Sequence, residues 1–129
     1  MEKIFIDSDI FIDLLRGHKK RIKNFFEKVQ HQDIKTVTSW INIVELYSGI
    51  DVIEKDSIIN DILSLCTIVE SDLQSSKIAG SIKRDYQLSL PDAIIASIVL
   101  TKNLKLFTFN KKDFQKIKGL EFFSLSVIN

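Results

Sequence analysis

The sequence predicts an α/β fold: a parallel sheet with helices packed on both of its faces. Three observations carry that expectation. Short apolar runs rich in β-branched residues alternate with longer segments in which apolar residues recur at helical spacing. Cap and stop residues separate the two kinds of segment. At 129 residues the chain is long enough to bury roughly two-thirds of its unfolded surface around one core, so residues 1–129 are expected to form a single domain.

Lys3 to Ile6 reads as a buried first strand that ends in the polar cluster Asp7-Ser8-Asp9. Ile10, Phe11, Leu14 and Leu15 then follow helical spacing, and Arg16-Gly17 is the stop signal. Ile22, Phe25, Phe26 and Val29 place an amphipathic helix over Lys19 to Gln30, whose other face is basic. Ile34 to Thr38 is a second strand, with Ser39 as the cap of a helix from Trp40 to Tyr47 that Gly49 closes. Ile58, Ile59, Ile62, Leu63 and Leu65 form another helical stripe before a third strand at Thr67-Ile68-Val69. Ser71 or Asp72 caps a helix to about Tyr86. Pro91 suits the first turn of the next helix, where its missing N–H has no intrahelical partner anyway; that helix runs to about Asn103. Leu104 to Thr108 is a fourth strand, Lys112 to Lys116 a short turn or helix, and Glu121 to Leu125 a fifth strand.

Composition narrows the function. With 45% hydrophobic and 27% charged residues the chain is of ordinary globular type. A net charge of +1 provides no whole-molecule basic field, so any contact with nucleic acid must use local patches. The single cysteine, Cys66, excludes an internal disulfide and a cysteine-based zinc cluster, and reads as a small buried apolar residue. The two histidines, His18 and His31, stand in polar surroundings. The N-terminus lacks the apolar run of an export signal, and the longest apolar stretch, Ala93 to Leu100, is far below the roughly 20 residues of a membrane span. A cytoplasmic protein is expected.

Four acids stand where apolar segments begin or end: Asp7, Glu45, Asp92 and Asp113. An unpaired carboxylate costs several kcal/mol to desolvate, and no Lys or Arg lies inside these apolar segments. If the fold gathers the acids, they form a site for a hard divalent cation, and oxygen ligands favour Mg²⁺ or Mn²⁺ over zinc. In an open parallel sheet such a site falls beyond the C-terminal strand ends, where strand order reverses. Each acid also has a bland reading. Asp7 and Asp92 suit helix N-termini. Glu45 could join Asn42 and Ser48 in a narrow polar stripe on the solvent side of an otherwise apolar helix. Asn110 to Asp113 could be a turn that caps a short helix, and spacing alone does not separate Asn110 from Asp113 as a further oxygen ligand.

Four segments together resemble a known family: Ile-Phe-Ile-Asp-Ser-Asp-Ile-Phe-Ile-Asp-Leu-Leu-Arg at 4–16, Asn-Ile-Val-Glu-Leu-Tyr-Ser-Gly-Ile at 42–50, Leu-Ser-Leu-Pro-Asp-Ala-Ile-Ile-Ala-Ser at 88–97 and Leu-Phe-Thr-Phe-Asn-Lys-Lys-Asp-Phe at 106–114. In that order they resemble PIN-domain ribonucleases, and more narrowly the VapC-type toxins of toxin–antitoxin pairs. The resemblance implies a five-stranded sheet of order 3-2-1-4-5 and an Mg²⁺- or Mn²⁺-dependent endoribonuclease. It puts the family's acids on Asp7, Glu45 and Asp92, with Asn110 aligned where many members carry Asp and Asp113 three residues later. Asp9 falls where the family often has Asn, while Ser8 and Thr108 match small hydroxyl positions that orient a ligand or water.

The implied chemistry is in-line attack of a metal-activated water on RNA, leaving a 5′-phosphate and a 3′-hydroxyl. Lys111 and Lys112 adjoin the expected pocket as RNA contacts; Lys19, Lys20, Arg21 and Lys23 form a second basic cluster, read first as a solvated face. The implied partners are an RNA substrate, a small VapB-like antitoxin and a second copy in a homodimer. Three rival readings stand beside it. A receiver-type signalling domain fits Val69-Glu70-Ser71-Asp72 and the ending Ser124 to Val127 poorly. A dehalogenase-type phosphatase would use Asp7 and Asp9 but needs a late acidic pair that is missing. A PIN scaffold that binds without cutting has Asn110 in its favour.

Overall fold

The computed structural model describes residues 2–17, 19–31, 34–49 and 52–125; His18, Ile50 and the ending Ser126-Val127 lie outside them. Among the described residues five strands alternate with seven helices: β1 (Lys3–Ile6), α1 (Ser8–Arg16), α2 (Lys20–Gln30), β2 (Lys35–Ser39), α3 (Trp40–Tyr47), α4 (Val52–Leu63), β3 (Cys66–Val69), α5 (Leu73–Tyr86), α6 (Leu90–Thr101), β4 (Lys105–Phe107), α7 (Lys111–Phe114) and β5 (Glu121–Phe122). All neighbouring strands are parallel, in the order β3-β2-β1-β4-β5. Strand order therefore reverses between β1 and β4.

Alternation along β1 explains the two covered faces. Ile4 and Ile6 enter one core and Phe5 the other, because successive side chains of a strand point to opposite sides. The Ile4/Ile6 core is aromatic. Phe25 of α2 lies edge-on to Phe107, with ring centroids 4.9 Å apart, and Phe107 packs likewise against Phe123 at 5.1 Å. Pairs of this kind contribute about 0.5–1.5 kcal/mol each beyond area burial, and these two fix the C-terminal end of β4. The opposite core holds the buried rings of Phe5 and Phe114 but is otherwise aliphatic and built largely on α6, with Ala93, Ile95, Ala96, Ile98 and Val99 buried.

Helix ends follow local chemistry. Gly17 closes α1 at φ 68°, a left-handed conformation that suits glycine, and its N–H bonds to the Asp13 and Leu14 carbonyls. Asp72 caps α5 through a reciprocal pair with Ser75. Ser89 caps α6, with Pro91 in its first turn.

Four details differ from the sequence-based expectations. Helix α4 begins at Val52, ahead of the Ile58 stripe, because the polar run Glu54-Lys55-Asp56-Ser57 interrupts the apolar period between its start and that stripe. Strand β5 pairs only over Glu121–Phe122; beyond one further bond, from Phe123 N–H to the Leu106 carbonyl, the chain turns its Phe123 ring into the aromatic core. Ser39 holds the cap position of α3, but its hydroxyl makes no cap bond. Cys66 is only partly buried, at the start of β3 beside the Thr36 hydroxyl.

Candidate active site

Register brings the first residues of the site together. Ile6 pairs with Phe107 across the switch point, and the Asp7 N–H continues the ladder onto the Phe107 carbonyl at 3.0 Å. Asp7 and Thr108 therefore leave the sheet side by side, and the Thr108 hydroxyl donates to Asp7 Oδ2 at 2.8 Å. Asp7 also begins α1: its Oδ1 accepts from the Ser8 N–H at 2.7 Å. Its capping role and its place in the pocket coexist.

Helix α3 supplies the opposite wall. Ser39, Asn42, Glu45 and Ser48 recur every third residue and so fall along one side of the helix. Asn42 is fully buried. Its Nδ2 donates to Ser8 Oγ at 2.9 Å and to Asp7 Oδ1 at 3.3 Å, while its Oδ1 accepts from the Ser39 hydroxyl. The Ser8 hydroxyl in turn donates to Glu45 Oε1 at 2.8 Å. Of the polar stripe read on the solvent side, Asn42 and Glu45 thus face inward while Ser48 is exposed at the cavity rim, and Trp40, Val44 and Tyr47 are exposed on the other side. The core supplies the reason: an apolar helix packed over a site turns its few polar groups toward the other buried polar groups.

Asp7, Ser8, Asp9, Ile12, Glu45, Ser48, Asp92 and Asn110 line an open cavity of about 390 Å³. It lies at the C-terminal strand ends, beside the reversal of strand order. Asp92 enters from the first turn of α6, where its N–H bonds to the Ser89 hydroxyl. Asp9 Oδ2 accepts from the Phe109 N–H at 3.0 Å and from Thr108 at 3.3 Å, but its Oδ1 is buried without a partner. Asn110 lines the cavity and Asp113 does not; Asn110 Nδ2 donates to Asp113 Oδ2 at 3.1 Å. Lys111 and Lys112 are exposed on α7 and outside the lining.

The electrostatics are those of anions crowded in a dry place. Burial first, and then the carboxylates of Asp9 and Asp92, push the Asp7 carboxyl up to about 7, against the hydrogen bonds from Thr108 and Ser8 that favour its anion. Burial likewise raises Asp9. Burial, with Asp113 adding to it, raises Asp92. The ion pairs between described residues, Arg84–Asp85 and Lys105–Glu2, involve none of these acids. An orphaned buried oxygen, raised carboxyls and an all-oxygen donor set fit a hard divalent cation. Among the described residues no three His, Cys, Asp or Glu side chains converge closely enough to hold an ion by themselves. Such a cation would take only a few protein oxygens directly and complete its shell with water, the habit of Mg²⁺.

Sequence reasoning missed Asn42 as a member of the site. Its signal was present: a polar residue three positions from both Ser39 and Glu45 on a helix with few others.

The PIN domain family profile matches residues 4–120, and the chain belongs to the PIN domain family, a family of nucleases. No curated protein matches the sequence at significant similarity. Among solved structures, the fold is similar to a chain of a toxin–antitoxin complex from Klebsiella pneumoniae, 26% identical with a TM-score of 0.75, covering 91% of this chain and 94% of that one. It is also similar to a chain of DNA-bound VapBC from Salmonella typhimurium, 18% identical with a TM-score of 0.81 and coverage of 97% and 99%. A chain of VapBC2 from Rickettsia felis, bound to a promoter fragment, gives 18% identity, a TM-score of 0.80 and coverage of 94% and 97%. Among the described residues no helix is long and apolar enough to cross a membrane.

Proposed function

We propose that the chain is a metal-dependent endoribonuclease and the VapC-type toxin of a toxin–antitoxin pair. The observation that carries the nuclease reading is the cavity at the switch point, where mutually repelling carboxylates stand with no cationic partner among the described residues. Asp7, Glu45 and Asp92 would hold Mg²⁺ or Mn²⁺, partly through water, with Asn110 as a further oxygen. The bound ion supplies Lewis-acid polarisation of the scissile phosphate and a water acidic enough to attack it.

The chain's own groups do the rest. Thr108 and Asn42 keep Asp7 oriented, and Ser8 does the same for Glu45. Asp9 adds negative charge and a buried, unpartnered oxygen beside the cavity. Asp113 acts from behind by fixing the Asn110 amide, so that Asn110 Oδ1 is the atom left for the cavity. Among the described residues no His or Cys is in the lining, which suits direct attack by water and products with a 5′-phosphate and a 3′-hydroxyl. Lys111 and Lys112, exposed on α7, would meet more distant phosphates of the RNA.

The toxin reading draws on the Klebsiella, Salmonella and Rickettsia complexes. The expected partners are a VapB-like antitoxin and a second copy of the chain; Trp40, Val44 and Tyr47, exposed on the outer side of α3, support a protein contact there. A cytoplasmic setting goes with it. Metal-dependent cleavage of RNA that disappears in Asp7→Asn and Glu45→Gln, while both variants stay folded, tests the reading. Equal cleavage by those variants would overturn the site.

One second reading has an observation behind it. Asn110 brings no charge where an acid would bind a cation more tightly, and the acids do not converge on one point, which favours a scaffold that binds RNA without cutting it. RNA binding by the wild-type chain with no cleavage in either Mg²⁺ or Mn²⁺ would select this reading.

A further inference from the structure

A second open cavity, of about 350 Å³, adjoins the acidic one and shares Asp9 and Ile12 with it; Asp13, Arg16, Lys19 and Phe109 complete its lining. Its composition differs from its neighbour's, since two cationic side chains and an aromatic ring enter. Phe109 is 44% exposed, and the Lys19 ammonium stands 4.0 Å from its ring centroid. The ring is nevertheless anchored. Phe109 follows Thr108 directly, and its N–H is bonded to Asp9 Oδ2 at 3.0 Å, so the platform is held in register with the carboxylates around Asp7.

We infer that this second cavity is a nucleobase subsite, in which one unpaired base of the RNA next to the scissile phosphate stacks on Phe109 while Lys19 and Arg16 meet the adjoining backbone phosphates. The inference rests on the RNA-cleaving reading and names how that substrate is gripped. Single-stranded RNA is recognised by splaying bases onto aromatic side chains, with cations following the backbone. An exposed cation–π contact is weaker than a base–aromatic stack, so an arriving base displaces Lys19 from the ring, and its flexible stem carries the charge to the phosphate. The whole molecule is nearly neutral; Arg16 and Lys19 offset the Asp9 and Asp13 carboxylates of the same lining, so this edge repels RNA less than the acidic pocket beside it. Stacking tolerates any base, so the subsite contributes affinity and register more than sequence choice.

The test uses the full-length chain with Ca²⁺ in place of Mg²⁺, and short single-stranded RNAs carrying 2-aminopurine at successive positions. Binding is expected to quench the probe most strongly at one position. Phe109→Ala should remove that quench and weaken RNA binding about tenfold, whereas Phe109→Trp should retain both. An RNA with an abasic residue at the same position should bind wild type and Phe109→Ala equally. Lys19→Ala should lower the salt dependence of binding by about one phosphate contact. Thermal melting of Phe109→Ala within a few degrees of wild type is expected from its exposure.

An unchanged affinity in Phe109→Ala, or an equal loss on the abasic RNA, would overturn the subsite. Unchanged RNA affinity with loss of a co-expressed antitoxin would assign the surface to protein and also overturn it. Absence of cleavage in Mg²⁺ with the stacking signal intact would remove the nuclease reading and leave the subsite standing.

Discussion

Two helix N-termini, at α1 and α5, carry an aspartate in the same cap position, and the two aspartates titrate in opposite directions. Asp72 is exposed, accepts from the Ser75 N–H at 2.7 Å, and is held below the usual carboxylate range by that bond. Asp7 accepts an equally short bond from Ser8 but lies under the protein among other carboxylates, and is pushed up to about 7. Capping stabilises the anion in both. Burial outweighs it only at Asp7, and the excess is what a bound cation would relieve. The contrast separates a cap that serves the fold from a cap that the fold places in a site.

The largest expected effect is on catalysis. Asp7→Asn should lower RNA cleavage by at least about a hundredfold, the scale seen when a group stabilising developing charge is removed. Asp72→Asn, on the same rim of the sheet, should stay within about twofold of wild type. Single-turnover rates on one RNA measure both.

Stability should change in the reverse sense. A folded pKa raised from 3.8 to about 7 means that the contribution of Asp7 is fully present below pH 3.8 and is lost as pH rises through 7. Metal-free wild type should therefore weaken between about pH 4 and pH 7. Asp7→Asn should be flatter over that window and more stable at pH 8, by up to roughly 4 kcal/mol. For Asp72 the sign is opposite: its stabilising share is present above its unfolded pKa and fades on acidification. Urea melts at a series of pH values in chelator separate the two.

Mg²⁺ should stabilise wild type at pH 8 by up to about 2.7 kcal/mol when present at a hundred times its dissociation constant. The effect should vanish in Asp7→Asn and persist in Asp72→Asn. A smaller loss is expected of Asn42→Ala. Removing its amide takes the acceptor from the Ser39 hydroxyl and one of two donors from Asp7 Oδ1, at a cost of about 1–3 kcal/mol, and should reduce metal affinity about tenfold or more. Denaturant melts and metal titration read these two quantities.

Much of the fold was legible in the sequence because its elements obey local rules. Gly17, Pro91 and the Asp72 cap mark helix ends where they were expected, and the alternation of strand and helix implies a parallel sheet. Strand order was not readable from pattern; it came from the resemblance to PIN domains and agrees with the observed β3-β2-β1-β4-β5. The acids at 7, 45 and 92 were visible as charges at apolar borders, and the cavity collects all three. What the sequence hid was direction. The three-residue spacing of Ser39, Asn42, Glu45 and Ser48 defines a stripe but not whether it faces water or the core. Asn110 and Asp113 share one turn, and only their packing shows which reaches the cavity. Phe109 reads as one more strand-end aromatic until its exposure and the ammonium above it are seen.

The central claim is that Asp7 is a buried carboxyl whose charge a divalent cation compensates. It is tested most directly by counting the protons released when Mn²⁺ binds at pH 6.5, by calorimetry in two buffers of different ionisation enthalpy. A carboxyl with its pKa near 7 is mostly protonated at that pH and must ionise to serve the metal. Wild type should release more than about half a proton per ion bound, and Asp7→Asn should lose both the binding and the release. Mn²⁺ binding to wild type with no proton release, or with the same affinity in Asp7→Asn, would contradict the claim.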